Sequence, residues 1–522
     1  MLILFCFQLI IISPKGDFPL NDDWVHSLSV KEFLENSNLF YPSFLGPFNL
    51  MPILTGIAAT GFFQFSFSFL RLINILLAFF SVLVFFIISK KKFTIKISFL
   101  LSLLFWFNPI FFNLSYTFMG DIMALLLILL AIWFYLIGFE EKKYWVLCLA
   151  SFFVVLASFT RQVCVLLFFS AWVVFLFDKK NKKLNLLWAF GMPALIGLGS
   201  YILLKKYNLI PGEVSARFLP EGWSYFKHTL FVLWDYLLLI SLFIVPLTVS
   251  LLFKNYIWLK KYLFWSLVAI FVSLAIIFNQ EGHIFPALGN MINKFGLGPN
   301  ISVMQGFLEP WLGSNFYIIL HYFLSVLGAI NIFILVQFVK LRDKKINNLL
   351  FLWLFLLLYI LTILPIRSFD RYLLLILPCI LLFFGWVLTT FKWSQSVLIF
   401  LLVPLCLYSY VGTYNYLAWN KSRWKVGNKF LSQGIAVQEI EGGYEWDGWH
   451  LYKKTIYKSL GDFTPNWSPW YVKDLFSGHN MKYIISFSEL GGYKVIDKQS
   501  VDGIFSNIKY IYLNEVVPHS LK

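Results

Sequence analysis

LRLINILLAFFSVLVFFIIS, residues 70–89, is a predominantly apolar run closed by Lys90, Lys91 and Lys92. At 1.5 Å per residue such a run crosses about 30 Å of hydrocarbon as a helix. Helices and closed barrels alone satisfy their backbone there, and a continuous rather than alternating run fits a helix. The pattern recurs at 1–13, 97–113, 120–138, 145–159, 162–178, 186–204, 229–252, 262–279, 315–339, 348–365, 371–390 and 395–412. The chain of 522 residues therefore reads as an α-helical polytopic membrane protein of about thirteen spans. Composition agrees: 59% of residues are hydrophobic, 13% charged, and 60 are Phe.

The loops alternate in character. Lys90–Lys92 with Lys96, Lys142 and Lys143, Lys179–Lys183, Lys254 with Lys260 and Lys261, and Lys340–Lys345 follow every second run. Short basic loops stay cytoplasmic, which puts the N-terminus inside. The loops 14–69, 205–228 and 280–314 and the turn Arg367–Arg371 then lie outside, as does the tail. This sorting also accounts for the net charge of +16. No basic–aromatic motif accompanies it, so nucleic acid is set aside. The start MLILFCFQLIIIS lacks the basic residues and small-residue cleavage site of a signal peptide, and reads as a first span. The five cysteines have no C-x-x-C spacing and suggest neither disulfides nor a metal site.

The domain division expected is 1–412, the membrane part, and 413–522, a small extracytoplasmic α/β domain. The tail is polar, with short β-type runs at Ile435–Ile440, Tyr483–Phe487 and Ile508–Leu513.

Few residues could carry chemistry. Asp22 and Asp23 open a stretch with helical apolar spacing, Trp24, Leu28, Phe33 and Leu34, in the first external loop. That reads as an interfacial helix with two carboxylates at its N-terminus, where an anion is stabilised and ready as a base. Helix capping explains one acid but not both. Asp121 opens the apolar run at 120–138, where an ionisable group is a functional candidate by default. Arg161 stands between two runs; Arg367, Asp370 and Arg371 cluster before another; Lys205 and Lys206 begin an external loop. External basic residues oppose the charge rule, and a phosphate at the membrane surface would explain them. Pairing with Asp370, or snorkelling, would explain them too. His26 and, in the Gly- and Asn-rich loop 281–300, His283, Asn290 and Lys294 are possible substrate-binding groups. In the tail, EGGYEWDGWHLY (441–452) suits sugar binding or a small aromatic core, with core favoured. No P-loop, GxGxxG, HExxH or GxSxG occurs, so energy must come from an activated substrate or an ion gradient.

Three stretches resemble the polytopic GT-C glycosyltransferases, in the branch of protein O-mannosyltransferases and aminoarabinose transferases: DDWVH (22–26), TFMGD (117–121) and DRYLLLILP (370–378). Asp23 stands where Glu is common in that branch, and His26 where Tyr or Phe is common. The resemblance implies that a sugar on polyprenyl phosphate is attacked by an acceptor hydroxyl, with inversion, on the external face. Asp22 would be the base, Asp23 and Asp121 would orient the acceptor or the base, and Arg161, Lys205, Lys206, Arg367 and Arg371 would receive the leaving phosphate. The acceptor would be a lipid, glycan or protein. No cofactor or obligatory metal is expected, and the place expected is a bacterial inner membrane. The alternatives are a transporter or flippase of lipid-linked saccharides, which would carry inverted repeats, and a polymerase, which would carry a more arginine-rich late loop.

Overall fold

The first run folds as a short helix, α1 (Leu2–Ile11), and the loop after it holds two more, α2 (Asp23–Asn36) and α3 (Leu50–Thr60). The computed structural model describes residues 1–42, 49–61, 63–177, 183–207, 209–210, 223–255, 257–279, 284–340, 350–365, 369–456, 469–476 and 481–516. Helix α2 does not lie free on a surface as its spacing suggested. Residues 23–30 are buried on all sides, packed by α3 and the C-terminal region, and only its last turns face outward. Ser37, in the left-handed conformation, ends it.

The run at 70–89 is the centre of α4 (Phe67–Lys92). Ser66 caps its start, accepting from the Phe69 N–H at 3.1 Å, and three lysines complement the dipole in its last turn. The next run is broken: α5 (Ile95–Trp106) and α6 (Pro109–Ser115) meet at 63°. Asn108 accepts from the N–H groups of Ile110 and Phe111, and Pro109 takes the first position of α6. A cap followed by Pro starts a new helix rather than continuing the old one.

Helix α7 (Gly120–Glu141) runs beside α4 in the same direction. Asn74, early in α4, donates to the Leu114 carbonyl just ahead of α7, and Lys91 and Lys92 at the end of α4 pair with Glu140 at the end of α7. Then come α8 (Tyr144–Ser158), α9 (Val165–Phe177), the short α10 (Lys183–Leu186), α11 (Met192–Lys206), α12 (Trp223–Lys254) and α13 (Ile257–Asn279). A two-stranded hairpin, β1 (Ile292–Asn293) and β2 (Gly296–Leu297), precedes α14 (Ser314–Lys340) and α15 (Leu350–Ile363). The run expected at 371–390 opens with a 3-10 turn, Asp370–Leu375, before α16 (Leu377–Thr390).

The last run does not stop at 412. Helix α17 (Gln395–Ser432) continues unbroken for 38 residues. At 1.5 Å per residue it is about 57 Å long, so roughly half of it projects beyond a hydrocarbon layer. Its projecting half carries buried Asn420 and Arg423 and supports the C-terminal region. There β3 (Ile440–Glu441), α18 (Tyr444–Ile456), α19 (Trp470–Asp474), β4 (Tyr483–Ser486), β5 (Lys494–Ser500) and β6 (Tyr510–Glu515) form a small α/β unit. The sheet order is β3-β4-β6-β5, parallel only between β3 and β4. Of the run expected at Ile435–Ile440, only Ile440 is in a strand; Val437–Glu439 is a 3-10 turn.

The described residues include six helices long and apolar enough to cross a membrane, and a seventh if α5 and α6 count as one span. The other expected runs fold as shorter apolar helices. The chain is an integral, multi-pass helical membrane protein with a small C-terminal sheet region.

One ion pair ties that region together. Arg423 and Glu445 meet at 2.8 Å, both fully buried. Breaking a buried pair from one side strands a charge and costs about 3–5 kcal/mol. Thermal unfolding in detergent should show a large drop for Arg423→Met and partial recovery when Glu445→Gln is added. An unchanged midpoint for Arg423→Met would show that the pair contributes nothing to stability.

Candidate active site

Asp22 occupies the N-cap position of α2, yet its side chain makes no capping bond. It points instead to groups from the far end of the chain. Its Oδ2 accepts from Nη1 and Nη2 of Arg371, each at 3.0 Å, and its Oδ1 accepts from the Tyr444 hydroxyl at 2.8 Å. Burial raises the carboxyl's pKa, but Arg371, the Tyr444 hydroxyl and Arg161 outweigh it and hold Asp22 below its ordinary value. Asp22 is therefore ionised at neutral pH.

Its neighbour is placed oppositely. Asp23 is 3% exposed and accepts backbone N–H groups on both oxygens, from Leu20 and, at 3.2 Å, from Phe118. Burial pushes its carboxyl well above the ordinary range, against the Arg71 charge and both backbone donors. Adjacent acids whose environments drive them apart can take different roles. Asp23 ties the start of α2 to the turn that carries TFMGD.

That turn delivers Asp121. Gly120 before it lies so close to Pro52 and Thr160 that an added Cβ would come within 3.1 Å of both. Arg161, in the turn between α8 and α9, donates from Nη2 to both oxygens of Asp121, at 2.8 and 2.7 Å. The pair and Arg371 line a cavity of about 190 Å³ together with Asn49, Tyr359 and Tyr372. His26, one turn into α2, is 3% exposed, and burial lowers its pKa to about 4 despite Asp22, so the ring is neutral.

Asp370 does not pair with the Arg371 guanidinium. Its carboxylate accepts the backbone N–H groups of Met291, at 2.8 Å, of Ile292, at 2.6 Å, and of Arg371 itself, at 2.7 Å. The 281–300 loop thus spends those two backbone donors on Asp370, and Arg371 is left to reach Asp22.

The structure gathers Asp22, Asp121, Arg161, Arg371 and His26, with Asp23 behind them. It does not gather the rest. Lys205 and Lys206 are exposed at the end of α11 and do not line the cavity. Lys294 is exposed, over the Phe295 ring at 5.2 Å, and lines a separate depression with Ile284 and Tyr317. Asn290 is half-buried ahead of the hairpin and also does not line the cavity. Arg367 and His283 lie outside the described residues.

Two contributors were not assigned to the site from the sequence. Arg71, 1% exposed, donates to the carbonyls of Pro14, Gly16 and Phe18 and so fixes the approach to Asp22. Its signal was a cation inside an apolar run. Tyr444 read as core or sugar platform; only its position beside two glycines, Gly442 and Gly443, hinted at a special turn.

Residues 52–202 match the family model described as dolichyl-phosphate-mannose-protein mannosyltransferase. The matched stretch contains Asp121 and Arg161. Among solved structures, ArnT from Cupriavidus metallidurans bound to undecaprenyl phosphate is similar at 13% identity and a TM-score of 0.46, over 84% of this chain and 71% of that one. The same protein in the apo state is similar at 13% identity and a TM-score of 0.39, over 84% of this chain and 81% of that one. No curated protein matches the chain. The resemblance to polytopic GT-C glycosyltransferases, first carried by DDWVH, TFMGD and DRYLLLILP, thus has a separate match to the mannosyltransferase family over residues 52–202.

Proposed function

We propose that the chain is a membrane glycosyltransferase that moves a sugar from a polyprenyl-phosphate donor to an acceptor hydroxyl, with inversion. The observation that carries this reading is the ionised Asp22 bonded to Arg371, which with Arg161 lines the cavity. In the transfer, Asp22 takes the proton of the acceptor hydroxyl. The acceptor oxygen bonds to the anomeric carbon as the bond from that carbon to the phosphate oxygen breaks. The electron pair leaves with polyprenyl phosphate, whose charge rises in the transition state. Arg371 and Arg161 are the groups placed to stabilise that charge, and Asp121 orients Arg161. The family matched at residues 52–202 is described as using a dolichyl-phosphate sugar, which supports a lipid-phosphate donor.

The face follows from charge. Arg71 and Asp121 lie near the starts of α4 and α7, whereas the lysine-rich turns lie at their ends. The positive-inside rule puts the lysines in the cytoplasm and the site outside. The C-terminal region shares the site's side because Tyr444 touches Asp22. A bacterial inner membrane is the setting we propose. We also infer that no divalent metal is required, since two guanidinium groups would face the leaving phosphate.

Purified protein in liposomes, supplied with synthetic polyprenyl-phosphate sugars and candidate acceptors, should release polyprenyl phosphate. General-base catalysis contributes about 10²–10⁴-fold, so Asp22→Asn should lose at least about 100-fold in kcat/KM while remaining folded. Donor that crosses the bilayer uncleaved would make the chain a transporter. In the same assay, a chelator should leave wild-type turnover unchanged. A loss restored by adding back a divalent ion would show that the arginines do not suffice.

A further inference from the structure

The proposed base is gripped by the C-terminal region as well as by Arg371. Helix α18 lies on the start of α2 so closely that a Cβ on Gly448 would come within 2.4 Å of the Trp24 indole. Its first residue, Tyr444, is 2% exposed and donates to Asp22 Oδ1. Its second, Glu445, accepts the buried N–H of Asn21 at 3.0 Å and, on its other oxygen, Nη1 of Arg423 at 2.8 Å. Arg423 in turn donates to Asn420 at 2.7 Å, so a rigid line runs from α17 through Glu445 to the residue before the base. Asn21 needs such a hold, because it sits at φ 52°, in the left-handed region. The entry to α18 is equally fixed. Gly443 has φ 93°, and a Cβ there would come within 2.6 Å of the Val303 carbonyl oxygen, which accepts the Tyr444 N–H at 2.8 Å.

We infer that Tyr444 and Glu445 are positioning residues of the transfer reaction, so that the C-terminal region is a working part of the active site. This rests on the reading of Asp22 as the base. Glu445 fixes the backbone from which Asp22 projects. Tyr444 fixes the carboxylate plane and favours its ionised form. A carboxylate has about four lone-pair sites. One bond from Tyr444 leaves Oδ1 with a free site for an acceptor hydroxyl, while Oδ2 is taken by Arg371. Burial and the Asp22 charge keep the phenol protonated, so it remains a donor.

The titratable and charged groups facing Asp22 are Arg371 and Arg161 from two turns, His26 from α2, Tyr444 from α18 and Tyr416 from α17. Of these, Tyr444 can be altered without changing a charge. Tyr444→Phe removes a donor from the ionised form, so the Asp22 pKa must rise. Activity needs the ionised form, so the acid limb of kcat/KM against pH must move upward. A hydrogen bond to a charged group corresponds to about one pH unit or more.

The test is that profile for wild type, Tyr444→Phe and Asp22→Asn, with the donor KM and thermal unfolding measured alongside. The expected result is an upward shift of the acid limb in Tyr444→Phe, with the donor KM nearly unchanged and the fold intact. A uniform loss at every pH, with the limb unmoved, would overturn the inference and leave Tyr444 a packing residue. If Tyr444→Phe does not fold, 3-fluorotyrosine at position 444 keeps the shape and strengthens the donor; the limb should then move downward, and an unmoved limb overturns the inference. Full turnover in Asp22→Asn would refute the base itself. A dead Asp22→Asn with an unmoved limb in Tyr444→Phe refutes only the role given to the C-terminal region.

Discussion

The bond between Arg371 and Asp22 joins residues 349 positions apart and organises what surrounds it. Neither partner is free to relax. The Arg371 side chain is only 8% exposed. Asp370, one residue earlier, anchors the backbone at Met291 and Ile292, which fixes where the arginine starts. Asp23, one residue after Asp22, anchors the turn at Phe118, which fixes where the aspartate starts. Each functional residue is thus held by a neighbouring acid that bonds to backbone. Two of the chain's scarce acids are spent on positioning so that one can stay ionised.

The same chemistry explains why the paired acids differ. A carboxylate can be stabilised by a guanidinium or by N–H groups, but burial counts against both. At Asp22 burial is outweighed only by Arg371, the Tyr444 hydroxyl and Arg161 together; at Asp23 burial outweighs the Arg71 charge and two backbone donors. Sequence adjacency therefore says little about protonation.

Much of the site was legible because charge is rare in this chain. Asp22, Asp121, Arg161 and Arg371 each interrupt an apolar context, and that interruption is a strong signal where only 13% of residues are charged. Their pairings were not legible, since nothing local says that Arg161 meets Asp121 while Arg371 bypasses Asp370 for Asp22. Tyr444 was hidden for the opposite reason: aromatics make up 20% of the chain, so one more tyrosine carries no signal. Apolar runs gave the helices but not their ends. Helix α17 runs past residue 412 to Ser432 with no proline in that stretch to mark a stop. Helix α3 is too short to read as a span, and β5, KVIDKQS, is an edge strand whose polar pattern hides it.

A site at the mouth of a helix bundle has a particular difficulty. Spans can offer it only the side chains at their ends, and the segment carrying the proposed base, here the start of α2, is held by no span of its own. Three ties replace that support: Arg371 from a late turn, Phe118 through Asp23, and α18 through Tyr444 and Glu445. Stabilisation of a transition state depends on groups already oriented before the reaction begins, with the cost of orienting them met during folding. On that argument the C-terminal region is placed where it is because the first motif of the chain cannot hold its own carboxylate. The acid read first in the sequence is thus held in part by helix α18, more than 400 residues later.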